Sequence, residues 1–278
     1  AGRPPPGRQT RIRRGGSMEA EYATIIYEKS GAVAWITLNR PEKRNAQSDE
    51  LRTEMALALE RAGLDPDVYV VVITGAGDQA FSAGADIDEF PTRQLVDGVA
   101  NKARRRPHET IRVLPKPVVA MVNGLALGGG CELVLAADLA VAADTARFGQ
   151  PEIRVGVIPG CGGTQVLPRL MGEKRAKEFI FSGRMMDADE ALGYGIVNKV
   201  VPFAELREAT EKMVSDLLRN SPAILKIAKM AVNKSLDLPL TVGMDYEREL
   251  FAMCFGTDDQ KEGARAFFEK RKPDYSGR

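Results

Sequence analysis

Two glutamates set in glycine-containing stretches are where this 278-residue sequence concentrates its chemistry. Glu132 follows Gly128-Gly129-Gly130, and Glu152 closes Phe148-Gly149-Gln150-Pro151. Upstream of the first, Val118 to Val122 is a short apolar, β-branched run bounded by Pro117 and Asn123-Gly124, which reads as a buried strand ending in a turn. The three glycines let the backbone bend tightly and approach a bound group, before Cys131 to Ala137 resumes as an apolar helix. A helix N-terminus offers unpaired N–H groups and a partial positive charge, so it can hold a developing oxyanion. A carboxylate just inside it can move a proton beside that oxyanion. Close packing and a favourable dipole contact would leave the same signature, so the rest of the chain has to decide.

A third small-residue loop, Phe81-Ser82-Ala83-Gly84-Ala85-Asp86, follows a strand edge. If the ends of the three strands meet, as in βα-type sites, two carboxylates face two independent sources of N–H donors. Other chemistries are excluded by pattern. Ser82 has no histidine in a comparable loop, and Gly-x-Ser-x-Gly is absent. The triple glycine is not followed by Lys-Ser/Thr, and no Gly-x-Gly-x-x-Gly opens a helix. What remains is acid–base work beside a stabilised oxyanion. His108, the single histidine, is expected on a polar surface helix. Cys131, Cys161 and Cys254 stand apart in sequence, so no metal-ligand cluster or disulfide framework is expected, and a reducing compartment fits.

The elements that must position these loops read as an α/β chain. Residues 22–28 and 32–38 are β-prone around Ser30-Gly31 and predict a hairpin. Ser48 can cap a helix with Asp49 and Glu50 in its first turn and Leu51, Met55 and Leu59 on one face. Tyr69 to Thr74 and Leu139 to Ala142 read as buried strands, and Thr164 to Met171 as a helix. Strand, helix, strand in this order suggests right-handed βαβ units and a parallel sheet covered on both faces. Residues 91–112 look helical in parts, with Arg104-Arg105-Arg106 as a solvated face. From Phe203 to Lys270 the pattern is helical, with Ser221-Pro222 as a helix start and Phe251, Phe255 and Phe267 as exposed apolar positions suited to oligomerisation.

With 44% hydrophobic residues the chain can bury a core without staples. Arg3, Arg8, Arg11, Arg13 and Arg14 lie in residues 1–17, which hold no acid, so the remaining 34 basic residues face 38 acidic ones. The body is therefore mildly acidic, about −4, and gives no support to nucleic-acid binding. Residues 1–17 are expected to be an appended remnant or a disordered leader. They make a poor transit peptide, which favours a bacterial cytoplasm over a mitochondrial matrix. No apolar run reaches membrane-spanning length.

Taken together, Ala83-Gly-Ala-Asp86, Asn123-Gly-Leu-Ala-Leu-Gly-Gly-Gly-Cys-Glu132, Phe148-Gly-Gln-Pro-Glu152, Ile158-Pro-Gly-Cys-Gly-Gly-Thr-Gln165 and the C-terminal Thr257-to-Gly263 and Ala266-to-Arg271 stretches resemble the crotonase superfamily, specifically enoyl-CoA hydratase. The likeness covers residues 22–275. It implies a crotonase-like spiral of ββα units over 18–200 and a helical oligomerisation portion over 201–278, assembled as a homotrimer or dimer of trimers. It implies an oxyanion hole at the N–H groups of Ala85 and Gly129, and catalytic roles for Glu132 and Glu152. Lys43, Arg44, Ala83, Asp86, Ile87, Phe267 and Lys270 would contact coenzyme A or substrate, the last two in a neighbouring subunit. Relatives carry a lysine after Ala-Asp-Ile where this chain has Asp88, which shifts the phosphate contact toward Lys43, Arg44 or Lys270.

The implied partner is an acyl-CoA thioester, with no metal, nicotinamide or flavin, no nucleic acid and no membrane. Attack of water at C3 of a 2-enoyl thioester delocalises charge onto the thioester oxygen, where two fixed N–H donors stabilise it. One carboxylate takes a proton from water and the other gives one to C2. Two acids in one buried pocket split their pKa values and so supply both forms. Glu132 is expected to be the base and Glu152 the acid. Within the same fold, isomerisation of 3-enoyl to 2-enoyl thioesters needs one acid only. An RNA-binding relative and a silent scaffold are the remaining alternatives, disfavoured by the acidic body and by the intact acid pair.

Overall fold

A computed structural model describes residues 22–92 and 106–278. Six strands form the larger sheet: β1 (Ile25–Ser30), β2 (Val33–Leu38), β3 (Val70–Gly75), β5 (Val118–Val122), β7 (Leu139–Ala143) and β10 (Lys199–Val201), in that spatial order. β1 and β2 are the expected antiparallel hairpin, and every later pairing in this sheet is parallel. A second sheet holds β4 (Ala80–Ser82), β6 (Leu125–Leu127), β8 (Arg147–Gly149) and β9 (Met185–Asp187), with only β9 antiparallel. Each of β3, β5 and β7 is followed at once by its partner in the small sheet, β4, β6 or β8. The chain therefore climbs as repeated ββα turns, which brings the ends of β4, β6 and β8 side by side. Those three ends are the three loops singled out in the sequence.

Helices cover both faces of the large sheet. Strand alternation sends Val71 and Ile73 into the main core, together with Leu51, Met55, Ala58, Leu59 and Ala62 of α1 (Asp49–Leu64). Val70 and Val72 face the opposite way, against Trp35, Val119, Val141, Leu206 and Val214. The last two belong to a later helix, Leu206–Leu218, which also lays the Arg207 guanidinium 3.5 Å above the Trp35 ring. Between these lie α2 (Pro107–Val113), α3 (Gly129–Ala136), α4 (Gly163–Met171), α5 (Glu173–Ser182) and α6 (Ala188–Gly193), so Leu206–Leu218 is α7. The chain ends in α8 (Pro222–Lys234), α9 (Leu240–Cys254) and α10 (Asp258–Phe268).

Buried and half-buried side chains of α8 tie the end helices to the core, Asn233 Nδ2 donating to Arg112 O at 2.8 Å. Lys229 of α8 is almost wholly buried, and its ammonium donates to Ile111 O at 2.9 Å, Lys116 O at 3.0 Å and the Asp138 carboxylate at 2.7 Å. Asp138 also accepts the Val118 N–H at 2.7 Å, so one buried ion pair locks α8 to the base of α2 and β5. Phe251, Phe255 and Phe267 are exposed, as expected, with neighbours Met253 and Phe268 also outward. Among the described residues no helix is long and apolar enough to cross a membrane. Arg104 and Arg105 lie outside the described residues.

Candidate active site

The loop after β4 lies against the N-terminus of α3 because two glycines permit it. Gly84 has φ +88°, and a Cβ there would sit 2.6 Å from Leu127 O and 3.2 Å from Gly129 N. Gly128 has φ +51°, and a Cβ there would sit 3.0 Å from Glu152 Oε1. Those contacts draw three loops to one point. Ala85 pairs with Gln47 in an isolated bridge, whose bonds use Gly84 O (2.7 Å) and Asp86 N (3.1 Å) and leave the Ala85 N–H uncommitted among the described residues. Gly129 is the first residue of α3, so its N–H lacks an intrahelical acceptor. The two N–H groups named in the sequence are thus both uncommitted among the described residues, in loops that touch at Gly84, whose Cβ position lies 3.2 Å from Gly129 N. Gln47, not singled out in the sequence, and Ser82, considered there only as a nucleophile, brace them: Ser82 Oγ donates to Asn45 O at 2.9 Å and accepts from Gly84 N and Gln47 Nε2 at 3.3 Å.

The two glutamates come together at this point but occupy different surroundings. Glu132, in the first turn of α3, is buried, and its Oε1 accepts the N–H groups of Cys161 (2.6 Å) and Gly163 (2.8 Å). No other hydrogen bond from the described residues reaches it, which leaves Oε2 for a ligand. Glu152 sits in a single 3-10 turn, Pro151–Val155. Burial, with the nearby Glu132 charge adding to it, pushes its carboxyl up to about 7. The Gln150 amide, with its nitrogen turned to the acid, donates to both Glu152 oxygens at 2.8 and 3.1 Å.

The sequence expectation for His108 is corrected. The imidazole is buried rather than on a polar surface, and its Nε2 lies 3.0 Å from Gly129 O, while Nδ1 has no partner. The polar run of α2 hid this because only the tertiary fold turns His108 toward α3. A ring nitrogen of His108, Cys161 Sγ and a Glu132 oxygen lie within 4.8 Å of one another. The residues that looked isolated are therefore a cluster. Arg106, expected on a solvated face, donates to Gly160 O at 2.8 Å and approaches Cys161 Sγ at 3.6 Å. A guanidinium there makes the cluster a poor seat for a cation. Burial opposes charge on the Cys161 thiol, but contact with His108, reinforced by Arg106, outweighs it and brings the thiol below its usual range. Burial likewise opposes charge on His108, and its contacts with Cys161 and the Gly129 carbonyl outweigh it and raise the imidazole.

The remaining expected residues divide in two. Ala83, Asp86 and Ile87 lie on the loop beside Lys43 and Arg44: Ala83 N donates to Arg44 O at 2.9 Å, and Lys43 pairs with Asp88 at 3.0 Å. Asp86 is buried and paired with Arg40 at 2.9 Å, so its carboxylate holds the loop. Asp88 engages the ammonium of Lys43, one of the groups expected to take over the phosphate contact. Phe267 and Lys270 are exposed at the end of α10, with no recorded contact to these loops.

The comparisons agree with this geometry. A family model described as enoyl-CoA hydratase/isomerase matches residues 28–278. The short-chain-enoyl-CoA hydratase of Clostridium acetobutylicum is 42% identical, over 91% of this chain and 97% of its own. The crotonyl-CoA hydratase of Syntrophomonas wolfei is 40% identical, over 91% of this chain and 98% of its own. The crystal structure of an enoyl-CoA hydratase from Bacillus anthracis superposes with a TM-score of 0.87 at 38% identity, covering 92% of this chain and all of that one. With ordered motifs, ββα spiral and near full-length likeness in agreement, the chain belongs to the enoyl-CoA hydratase/isomerase family.

Proposed function

We propose that the chain adds water across the C2=C3 bond of short 2-enoyl-CoA thioesters to give 3-hydroxyacyl-CoA. The observation that carries this reading is the pair of acids in unlike settings beside two uncommitted N–H groups. The thioester oxygen takes the Ala85 and Gly129 N–H groups, which stabilise the enolate formed by attack at C3. Glu132, oriented through Oε1 by two backbone donors, takes the proton from water with Oε2. Glu152, whose carboxyl lies near 7, gives a proton to C2. Isomerisation needs only one acid, so the second glutamate favours hydration. The printed names of the relatives, short-chain-enoyl-CoA and crotonyl-CoA hydratase, support a short acyl group.

Coenzyme A runs along the 83–88 loop. Lys43 and Arg44 are at hand for its phosphates, since an exposed Lys43–Asp88 pair is worth little and yields to a phosphate. Phe267 and Lys270 reach the coenzyme A of a neighbouring subunit, and α8–α10 carry the assembly in a bacterial cytoplasm. The test is loss of conjugated enoyl-thioester absorbance when the protein meets crotonyl-CoA. Rapid loss that Glu132→Gln abolishes is expected. No loss, with crotonyl-CoA still bound, overturns the reaction while leaving the thioester site.

A further inference from the structure

The hydration reading uses Glu132 but leaves unexplained the groups packed around it. A cavity of about 260 Å³ opens beside the acid, lined by Arg106, His108, Leu135, Cys161 and Val166 among others. Glu109 and Arg112 also line it, and Leu135, Ala136 and Val166 give it apolar surface for a short acyl group to lie against. Into it come a half-buried thiol and a buried imidazole whose Nδ1 has no partner. The His108 ring is fixed by its Nε2–H on Gly129 O at 3.0 Å, which leaves Nδ1 as the ring's free acceptor, with a ring nitrogen within 4.8 Å of Cys161 Sγ. Arg106, 3.6 Å from Sγ, supplies a positive charge that a thiolate favours. Thiol, base and cation are the parts of an activated nucleophile. The other cysteines differ. Cys131 is fully buried, and burial pushes its thiol up, while Cys254 Sγ is turned onto Leu250 O at 3.4 Å.

We propose that Cys161 is a nucleophilic thiol at the acyl end of the catalytic cavity, and that short α,β-unsaturated thioesters alkylate it. This rests on the proposed placing of the enoyl group beside Glu132. His108 Nδ1 takes the thiol proton, and Sγ bonds to C3. The C2=C3 π pair moves toward the thioester oxygen, held by the Ala85 and Gly129 N–H groups, and C2 then takes a proton from Glu152. The product is a saturated thioether. The added group is the whole thioester, nothing leaves, and no oxidant or reductant is needed. Water and thiol compete for the same carbon, so adduct formation is a slow side path that removes catalyst while hydration proceeds.

The experiment is intact-protein mass spectrometry with peptide mapping after incubation with propenoyl-CoA, whose C3 is least hindered, alongside a hydration assay. An increment equal to the whole thioester on the Cys161 peptide is expected, absent in Cys161→Ala and Cys161→Ser. Iodoacetamide should alkylate Cys161 at pH 7 about tenfold faster than it alkylates free glutathione. His108→Gln, which keeps a donor for Gly129 O but removes the base, should erase that advantage. Hydration with the protein mass unchanged overturns the inference and leaves the hydratase reading intact. An adduct on Cys161 without hydration keeps the inference and overturns that reading. Absence of both overturns both.

Discussion

The pH dependence of hydration separates the two acids. In the proposed mechanism Glu152 gives a proton to C2 and so works only while protonated, and burial together with Glu132 holds its carboxyl at about 7 against 4.5 for an ordinary glutamate. At pH 7 about half the molecules carry that proton, at pH 8 about a tenth, and at pH 9 about a hundredth. With substrate well below KM, kcat/KM for crotonyl-CoA reports the free enzyme. It should bend near pH 7 and then fall about tenfold per unit. An ordinary carboxyl would place that bend more than two units lower. Glu152→Gln keeps the side-chain shape and cannot release a proton, so it should lower kcat/KM by about 10²–10⁴ and erase the bend. Cys161→Ala is the control, since the neighbouring thiol also has a shifted pKa and must leave the bend in place. A flat native profile from pH 6.5 to 9 refutes the assignment, as does a bend that survives in Glu152→Gln. Linkage gives a second sign. The folded state binds more protons than the unfolded one between the two values, so Glu152 lowers stability as pH rises from about 4.5 to about 7, and contributes no further change above that.

Two further outcomes follow from the end helices. Lys229→Met leaves the Asp138 carboxylate buried without its cation, and a loss of about 3 kcal/mol in chemical denaturation is expected; less than about 1 kcal/mol would mean that α8 is not held by this pair. Light scattering should give three or six times the 30.2 kDa chain mass, covering the exposed Phe251, Phe255 and Phe267, and a monomer at working concentration would remove the neighbour's Phe267 and Lys270 from the site.

The ββα climb was legible because each layer leaves its own mark. Val118 to Val122 is continuously apolar because both faces of β5 are covered. Leu51, Met55 and Leu59 recur at helical spacing because one face of α1 is buried. The N–H pair was legible through its glycines: Gly84 and Gly128 occupy places where a Cβ would meet Leu127 O or Glu152. His108 was not. Its helix reads Pro-His-Glu-Thr-Ile-Arg-Val, with only Ile111 clearly apolar toward the core, and the burial of the imidazole depends on Gly129 O arriving from a distant loop. Lys229 was hidden for the same reason: one lysine on an amphipathic helix looks solvated until three oxygens from other elements surround it. Asp88 shows a subtler case. The departure was visible and shifted the expected phosphate contact toward Lys43, Arg44 or Lys270, but the pairing of Lys43 with Asp88 at 3.0 Å depends on the fold bringing residues 45 apart in sequence together.

Sequence could place two glutamates near two glycine-framed loops, but residue type alone cannot assign one the proposed role of acid and the other that of base. That difference arises from what each carboxylate meets. Glu132 receives two backbone N–H donors at one oxygen because the chain from Gly160 to Gly163 turns under it as it enters α4. Glu152 stands in a short 3-10 turn, with a neutral amide as its side-chain partner and an acid nearby. Both carboxyls meet N–H donors, but at Glu152 burial beside a like charge outweighs hydrogen bonding and favours retention of a proton, which suits the proposed acid. Exchanging the two environments would exchange the roles. The direction of proton flow therefore lies in the loops that follow β6 and β8 and in the turn into α4, and a substitution that frees Glu132 Oε1 would harm the base without touching either glutamate.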